Sequence, residues 1–138
     1  EKVVDEYGNI RSDEHGYIKG SDVFVFVAKE VPLDIKRTLG FAGNNISDID
    51  YFVFHQANQF INTHIMKKLK LDPSKVPSTI AKYGNTSSVS IPLTMVSELK
   101  SKLNKKRVLM SGFGVGMTWA SCILDTNMCN ISEVVEYN

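Results

Sequence analysis

Two short polar turns carry the side chains in this sequence best suited to chemistry. The first, His55-Gln56-Ala57-Asn58, follows an apolar run, Tyr51-Phe52-Val53-Phe54. The second, Gly84-Asn85-Thr86-Ser87-Ser88, presents Asn85 thirty positions after His55. A neutral imidazole and a carboxamide are two hydrogen-bond donors without net charge. Side by side they suit an oxygen that becomes negative during a reaction, because donors fixed in advance need no reorganisation when that charge develops. The turns lie at the ends of different elements, so only the tertiary fold can bring them together. His55 and Asn85 are the candidate catalytic pair.

The elements that must position them are read from spacing. Tyr51 to Phe54 is apolar on both sides, as in a strand whose sheet is covered on both faces, and residues 45–50 are a turn leading into it. A helix is predicted from about Asn58 to Lys70, with Ile61, Ile65 and Leu69 as its buried stripe. Lys67 and Lys70 point away from that stripe, Lys68 lies at its edge, and His64 reads as structural. Residues 71–77 are a connection, and 76–81 fit no single class. After the Asn85 turn a helix is predicted to about Leu103, with Val89, Leu93, Val96, Leu99 and Leu103 on its core side. Ser90 is its expected cap, which places Pro92 in the first turn, where a missing N–H costs nothing. A strand over 108–111, a glycine-rich turn over 112–116 (GFGVG) and a second strand over 117–125 complete the pattern.

Upstream, Val23, Phe24, Val27, Val31, Ile35 and Leu39 recur at helical spacing. The run VFVFV is compatible with a strand by composition, but continuation of the pattern to Leu39 favours a helix. Ser21 or Asp22 is its expected cap, Pro32 its expected kink, Gly40 or Gly43 its stop, and Lys36 and Arg37 its solvated face. Residues 1–20 are polar with three glycines and predict a loop or weak hairpin, in which His15 is a solvated loop histidine. Residues 126–138 form a polar tail of no clear class. The resulting divisions are 1–20, 21–125 and 126–138, and the order strand, helix, helix, strand, strand is that of an α/β layered domain.

Composition narrows the function classes. A chain of 138 residues fits one domain with a real core. It begins at Glu1, not Met, and is read as a piece of a longer protein. Sixteen basic and fifteen acidic residues give +1, which argues against a general nucleic-acid binder. No apolar run approaches the ~20 residues of a membrane helix, and no secretory signal is present. Cys122 and Cys129 form no recognisable metal or disulfide framework. The expectation is a soluble, cytoplasmic protein.

The motifs HQANQFI, GNTSSVSIP and GFGVGMTWAS, in this order and at these spacings, resemble the C-terminal half of ketoacyl-acyl-carrier-protein synthase III. These condensing enzymes of the thiolase fold start fatty-acid synthesis, and related starter enzymes serve polyketide and secondary metabolism. The resemblance runs from about residue 17 to residue 125. It implies one α-β-α unit of a five-layered αβαβα thiolase-like fold, a homodimer, and an N-terminal half that supplies a nucleophilic cysteine at a helix N-terminus, where the dipole favours thiolate. It implies further that His55 and Asn85 complete a Cys-His-Asn triad. They would hold the thioester carbonyl of a malonyl group while carbon dioxide leaves, and the resulting carbanion would attack the acyl group on the cysteine. A neutral His55 donating from Nε2 suits this role better than an imidazolium, which would quench the carbanion. The implied partners are acyl carrier protein and CoA thioesters, with acyl-CoA and malonyl-ACP as substrates and no separate cofactor.

As GxGxG the glycine-rich turn is a weak nucleotide-loop signal, because it lies between two strands and opens no helix. By resemblance it carries an oxyanion hole at Gly114 and Val115, the backbone donor falling on Val115 where the family usually has glycine. Ala57, Asn58, Ser21 and Phe113 fall on substrate or pantetheine positions; Ser21 stands where asparagine is common. Phe113 matches a family aromatic near the triad, and ordinary core packing accounts for it equally well. Lys67 and Lys68 match basic positions for carrier docking, which a solvated face explains almost as well. Phe60 replaces a common arginine at the tunnel mouth and Val25 a docking lysine, which weakens the case for a primary starter enzyme against a specialised relative. Neither Cys122 nor Cys129 aligns with the nucleophile. Two other classes stay open. A non-catalytic partner subunit is opposed by the intact His and Asn, and a hydrolase pairing His55 with Ser87 or Ser88 by the lack of a GxSxG elbow.

Overall fold

A short antiparallel hairpin, β1 (Val3–Val4) with β2 (Ile10–Arg11), opens the chain, in keeping with the expected loop or weak hairpin. The structure, a computed structural model, describes residues 1–12 and 18–136, so the reading of His15 lies outside the described residues.

Helix α1 (Gly20–Phe41) buries Val27, Val31, Ile35 and Leu39, the stripe that its spacing predicted. Its cap differs from expectation. Lys19 occupies the N-cap without a side-chain bond, so Ser21 and Asp22 sit inside the first turn. Asp22 there pairs with Lys19 at 3.2 Å, and its charge favours the positive end of the helix dipole. The helix runs on through Pro32. A proline has no N–H to give the carbonyl four residues back, and the Lys68 ammonium takes that place, donating to Ala28 O at 2.7 Å. At the other end Gly43 adopts φ +64°, and Asn44 N–H reaches Leu39 O at 2.9 Å. This closure in the left-handed region stops the helix and satisfies its last carbonyls.

The main sheet contains β3 (Tyr51–Phe54), β4 (Arg107–Gly114) and β5 (Thr118–Asp125). β3 and β4 are parallel, β4 and β5 antiparallel. Phe52, Phe54, Leu109 and Phe113 join α1 and the next helix, α2 (Gln59–Leu69), in the larger core. Val53 and Val108 belong to a second core with Leu99 and Leu103. The sheet is therefore covered on both faces, as the doubly apolar strand implied. Asp50 ties the start of β3 to β4, accepting from Arg107 N–H at 2.9 Å and the Lys106 ammonium at 3.0 Å. The Arg107 bond, with Lys106 beside it, lowers the Asp50 pKa.

β4 is longer than expected. Gly112, Phe113 and Gly114 belong to the strand, opposite Ala120, Trp119 and Thr118, and the turn is confined to 115–117. Glycine is needed for conformation only at Gly116, with φ +98°. The other glycines of the motif suggested a turn by composition, but continued pairing with β5 decides otherwise.

The helices after the polar turns also differ from each other. α2 buries Ile61, Ile65 and Leu69 as expected, and Asn58 caps it by accepting from Ile61 N–H at 2.9 Å. The ambiguous stretch 76–81 is irregular through Thr79 and only then enters a single helical turn, α3 (Ile80–Tyr83). α4 spans only Ser90–Glu98, and its buried residues are Ser90 and Thr94. The predicted stripe fails here: Val89 is 54% exposed, and Leu99 and Leu103 are buried beyond the helix end. Ser90 is not the cap but the first helical residue, its hydroxyl being engaged elsewhere. In the tail, Ile131 packs on the second core and Glu133 pairs with Lys100. Among the described residues no helix is long and apolar enough to cross a membrane.

Candidate functional site

Parallel strands present a crevice at their C-terminal ends, where α/β sheets bind ligands. β3 ends at that edge and delivers His55, whose N–H continues the ladder to Ser111 O at 2.9 Å. The next residue, Gln56, is fully buried. Its Nε2 donates to Phe54 O at 2.8 Å, and its Oε1 accepts from Thr79 N–H at 3.0 Å and Ser78 Oγ at 3.2 Å. Every bond of this side chain goes to protein, so the turn carrying His55 is pinned from beneath.

The imidazole is half-buried and meets the Phe113 ring edge-on, 5.4 Å between centroids at 78°. Burial lowers its pKa below the ordinary 6.5, because a partly desolvated ring resists taking a charge. His55 is therefore neutral at neutral pH.

Asn85 arrives on a turn shaped by Gly84 at φ +67° and Ser87 at φ +56°. Its side-chain oxygen accepts from Ser87 N–H at 2.9 Å. That bond orients the carboxamide, whose N–H2 is available to donate to a ligand. His55 and Asn85 line one cleft of about 810 Å³, together with Phe113, Gly114, Val115 and Trp119. Val115 sits in the turn, 65% exposed. The fold thus places two neutral donors from different elements around one space, beside a glycine-bearing strand end.

Other residues singled out by sequence stand apart from this lining. Ala57 packs on the larger core, Asn58 caps α2, and Ser21 lies exposed in the first turn of α1. Lys67 and Lys68 occupy the last turn of α2, both exposed. Cys122 and Cys129 are exposed and outside the cleft. Among the described residues no group of three or more His, Cys, Asp or Glu is placed to hold a metal ion.

Ser87 and Ser88 line the cleft, but the serine that touches the imidazole is Ser90. Its Oγ lies 2.7 Å from His55 Nδ1 and also accepts from Gln56 N–H at 3.2 Å. Ser90 borders the cleft but is 1% exposed, and its hydroxyl, engaged by the imidazole and by Gln56 N–H, holds the ring. Spacing alone missed both Ser90 and Gln56. Each lies within a recognised motif, but nothing local shows that a serine hydroxyl reaches 35 residues back.

Residues 39–126 match the family model described as 3-Oxoacyl-[acyl-carrier-protein (ACP)] synthase III C terminal. The chain is 43% identical over 108 residues to the beta-ketoacyl-[acyl-carrier-protein] synthase III of Microcystis aeruginosa, covering 77% of this chain and 32% of that protein. Against the chloroplastic beta-ketoacyl-[acyl-carrier-protein] synthase III of Arabidopsis thaliana it is 41% identical over 109 residues, covering 78% and 27%. It superposes on the crystal structure of 3-oxoacyl-(acyl-carrier protein) synthase from Burkholderia xenovorans LB400 with TM-score 0.86 and 41% identity, covering 92% of this chain and 37% of that one. The fold is accordingly the thiolase-like α/β fold of these enzymes. The chain spans about a third of the length of the relatives it matches. With the three motifs, the superposed fold and the matched span in agreement, the chain belongs to the 3-oxoacyl-[acyl-carrier-protein] synthase III C-terminal family.

Proposed function

We propose that residues 21–125 supply the His–Asn half of the active site of a decarboxylating condensing enzyme, the acyl group being carried on a cysteine of an N-terminal half in the same or another chain. One observation carries this reading: His55 and Asn85 reach a single cleft as neutral donors. A malonyl thioester binds with its carbonyl oxygen between the His55 Nε2–H and the Asn85 N–H2. Cleavage of the bond to the carboxylate releases carbon dioxide and leaves the electron pair on the α-carbon, delocalised onto that oxygen as an enolate. The two donors stabilise the new charge where it forms, each contributing on the order of 10²–10³ in rate. The α-carbon then attacks the acyl thioester. Backbone at Gly114 and Val115 faces the oxyanion of that step, and its collapse returns the cysteine thiolate.

In this reading acyl-CoA and malonyl-ACP are the substrates and no separate cofactor is used. Ala57, Asn58, Ser21 and Phe113 border the pantetheine arm, Lys67 and Lys68 dock the carrier protein, and the full enzyme is a cytoplasmic homodimer. His55→Ala in the full protein abolishes malonyl decarboxylation; unchanged decarboxylation overturns the proposal. Asn85→Asp places a carboxylate where negative charge develops, so the rate drops by about 100-fold or more, and a persisting rate removes Asn85 from the site.

A further inference from the structure

The hydrogen bonds behind His55 determine which ring nitrogen carries its proton. A neutral imidazole has one N–H and one bare nitrogen. Nδ1 faces Ser90 Oγ at 2.7 Å, and the same oxygen accepts from Gln56 N–H at 3.2 Å. If Nδ1 held the proton, Ser90 Oγ would accept twice and its own O–H would need a further acceptor. Among the described residues Ser90 Oγ has no hydrogen-bond partner besides these two, and a buried hydroxyl without an acceptor is costly. With the serine proton donated to Nδ1, the Ser90 hydroxyl and Nδ1 are both satisfied, and Nε2 carries the imidazole hydrogen. We propose that Ser90 is a positioning residue that fixes His55 as its Nε2–H tautomer and so makes it a donor toward the cleft.

The serine is itself held in a closed circuit. Thr94 Oγ1 donates to Ser90 O at 2.8 Å and is bonded to Thr79 Oγ1 at 2.7 Å. Thr79 N–H donates to Gln56 Oε1, and Gln56 N–H returns to Ser90 Oγ. Gln56, Thr79, Ser90 and Thr94 are all buried. The circuit joins the turn of His55 to the helix that follows the turn of Asn85, so the hydroxyl meeting Nδ1 is fixed from both sides. What this donor is for rests on the proposed decarboxylation; the tautomer does not.

The test is nitrogen NMR of the full protein labelled with [15N]histidine, the His55 signal being identified by its loss in His55→Gln. The expected spectrum shows Nε2 protonated and Nδ1 bare. Ser90→Ala gives a mixture of tautomers and lowers malonyl decarboxylation roughly tenfold at little change in KM, and Ser90→Thr restores the tautomer. A proton on Nδ1 in the unaltered protein overturns the inference, and this outcome stands even if Ser90→Ala does not fold. An unshifted tautomer in folded Ser90→Ala overturns it too. If His55→Ala retains decarboxylation while the Nε2–H tautomer is found, the proposed function fails and the assignment to Ser90 stands.

Discussion

The two helices that follow the polar turns are anchored by different physics. α2 begins with a side-chain cap, Asn58, and buries Ile61, Ile65 and Leu69 against α1 and the sheet. α4 begins without a side-chain cap and buries two hydroxyls, Ser90 and Thr94. Apolar burial is strong but non-directional. It fixes where the His55 turn lies without fixing how the imidazole stands. Hydrogen bonds weaken steeply with angle, so the circuit through Ser90 and Thr94 orients what the hydrocarbon side only locates. One flank of the cleft supplies stability, the other aim.

Truncating the apolar flank should give the largest stability effect. Ile65 is fully buried, and Ile65→Ala is expected to cost about 2–5 kcal/mol, read as a lower urea midpoint. On the proposed function, decarboxylation by the full protein, per folded molecule, should change little. Thr94→Val keeps the shape but strips the hydroxyl that joins Thr79 to Ser90 O, leaving Thr79 Oγ1 without that partner, at about 1–3 kcal/mol. Here the order inverts: less stability is lost, while decarboxylation per folded molecule falls. If Ile65→Ala impairs the rate as much as Thr94→Val does, stability and aim are not divided between the flanks.

The same contrast explains what the sequence disclosed. α1 and α2 were legible because an apolar stripe is a local signal that needs no knowledge of the partner. His55 and Asn85 were legible because polar turns at element ends mark where side chains can converge. α4 was misread for the converse reason: Val89 satisfied the stripe yet faces solvent, while Ser90 and Thr94 are buried because distant groups complete their hydrogen bonds. The strand character of Gly112 and Gly114 depends on pairing with Ala120 and Thr118, which composition does not report. Lys19 displaced Ser21 and Asp22 at the start of α1 without any side-chain cap, so a residue type that favours capping did not fix the boundary.

A smaller effect tests the burial of the imidazole. The unfolded chain binds a proton on His55 near pH 6.5, whereas the folded protein binds it only at lower pH. Stability therefore rises with pH between those two values. The contribution is fully present above about pH 6.5 and is lost progressively as the pH falls from there to the folded-state value. Subtracting the pH profile of His55→Gln from that of the unaltered protein isolates it. A contribution that grows on acidification would mean a charged imidazole in the fold, and would count against a neutral donor.

The least effect is expected at Lys68, on the outer side of the apolar flank. Its neighbour Lys67 is exposed on the same last turn, but the Lys68 ammonium donates to Ala28 O, the carbonyl that Pro32 leaves without its helical partner. Lys68→Met retains most of the stem and removes the donor. The contact is exposed, so water replaces the ammonium and the loss should stay below about 1 kcal/mol. Pro32→Ala supplies the missing N–H to Ala28 O, and in that background Lys68→Met should cost less still. A double-mutant cycle on urea midpoints reads the difference directly. Equal costs in the two backgrounds would show that Lys68 does not serve the proline-freed carbonyl, leaving its charge, like that of Lys67, for a partner at the surface.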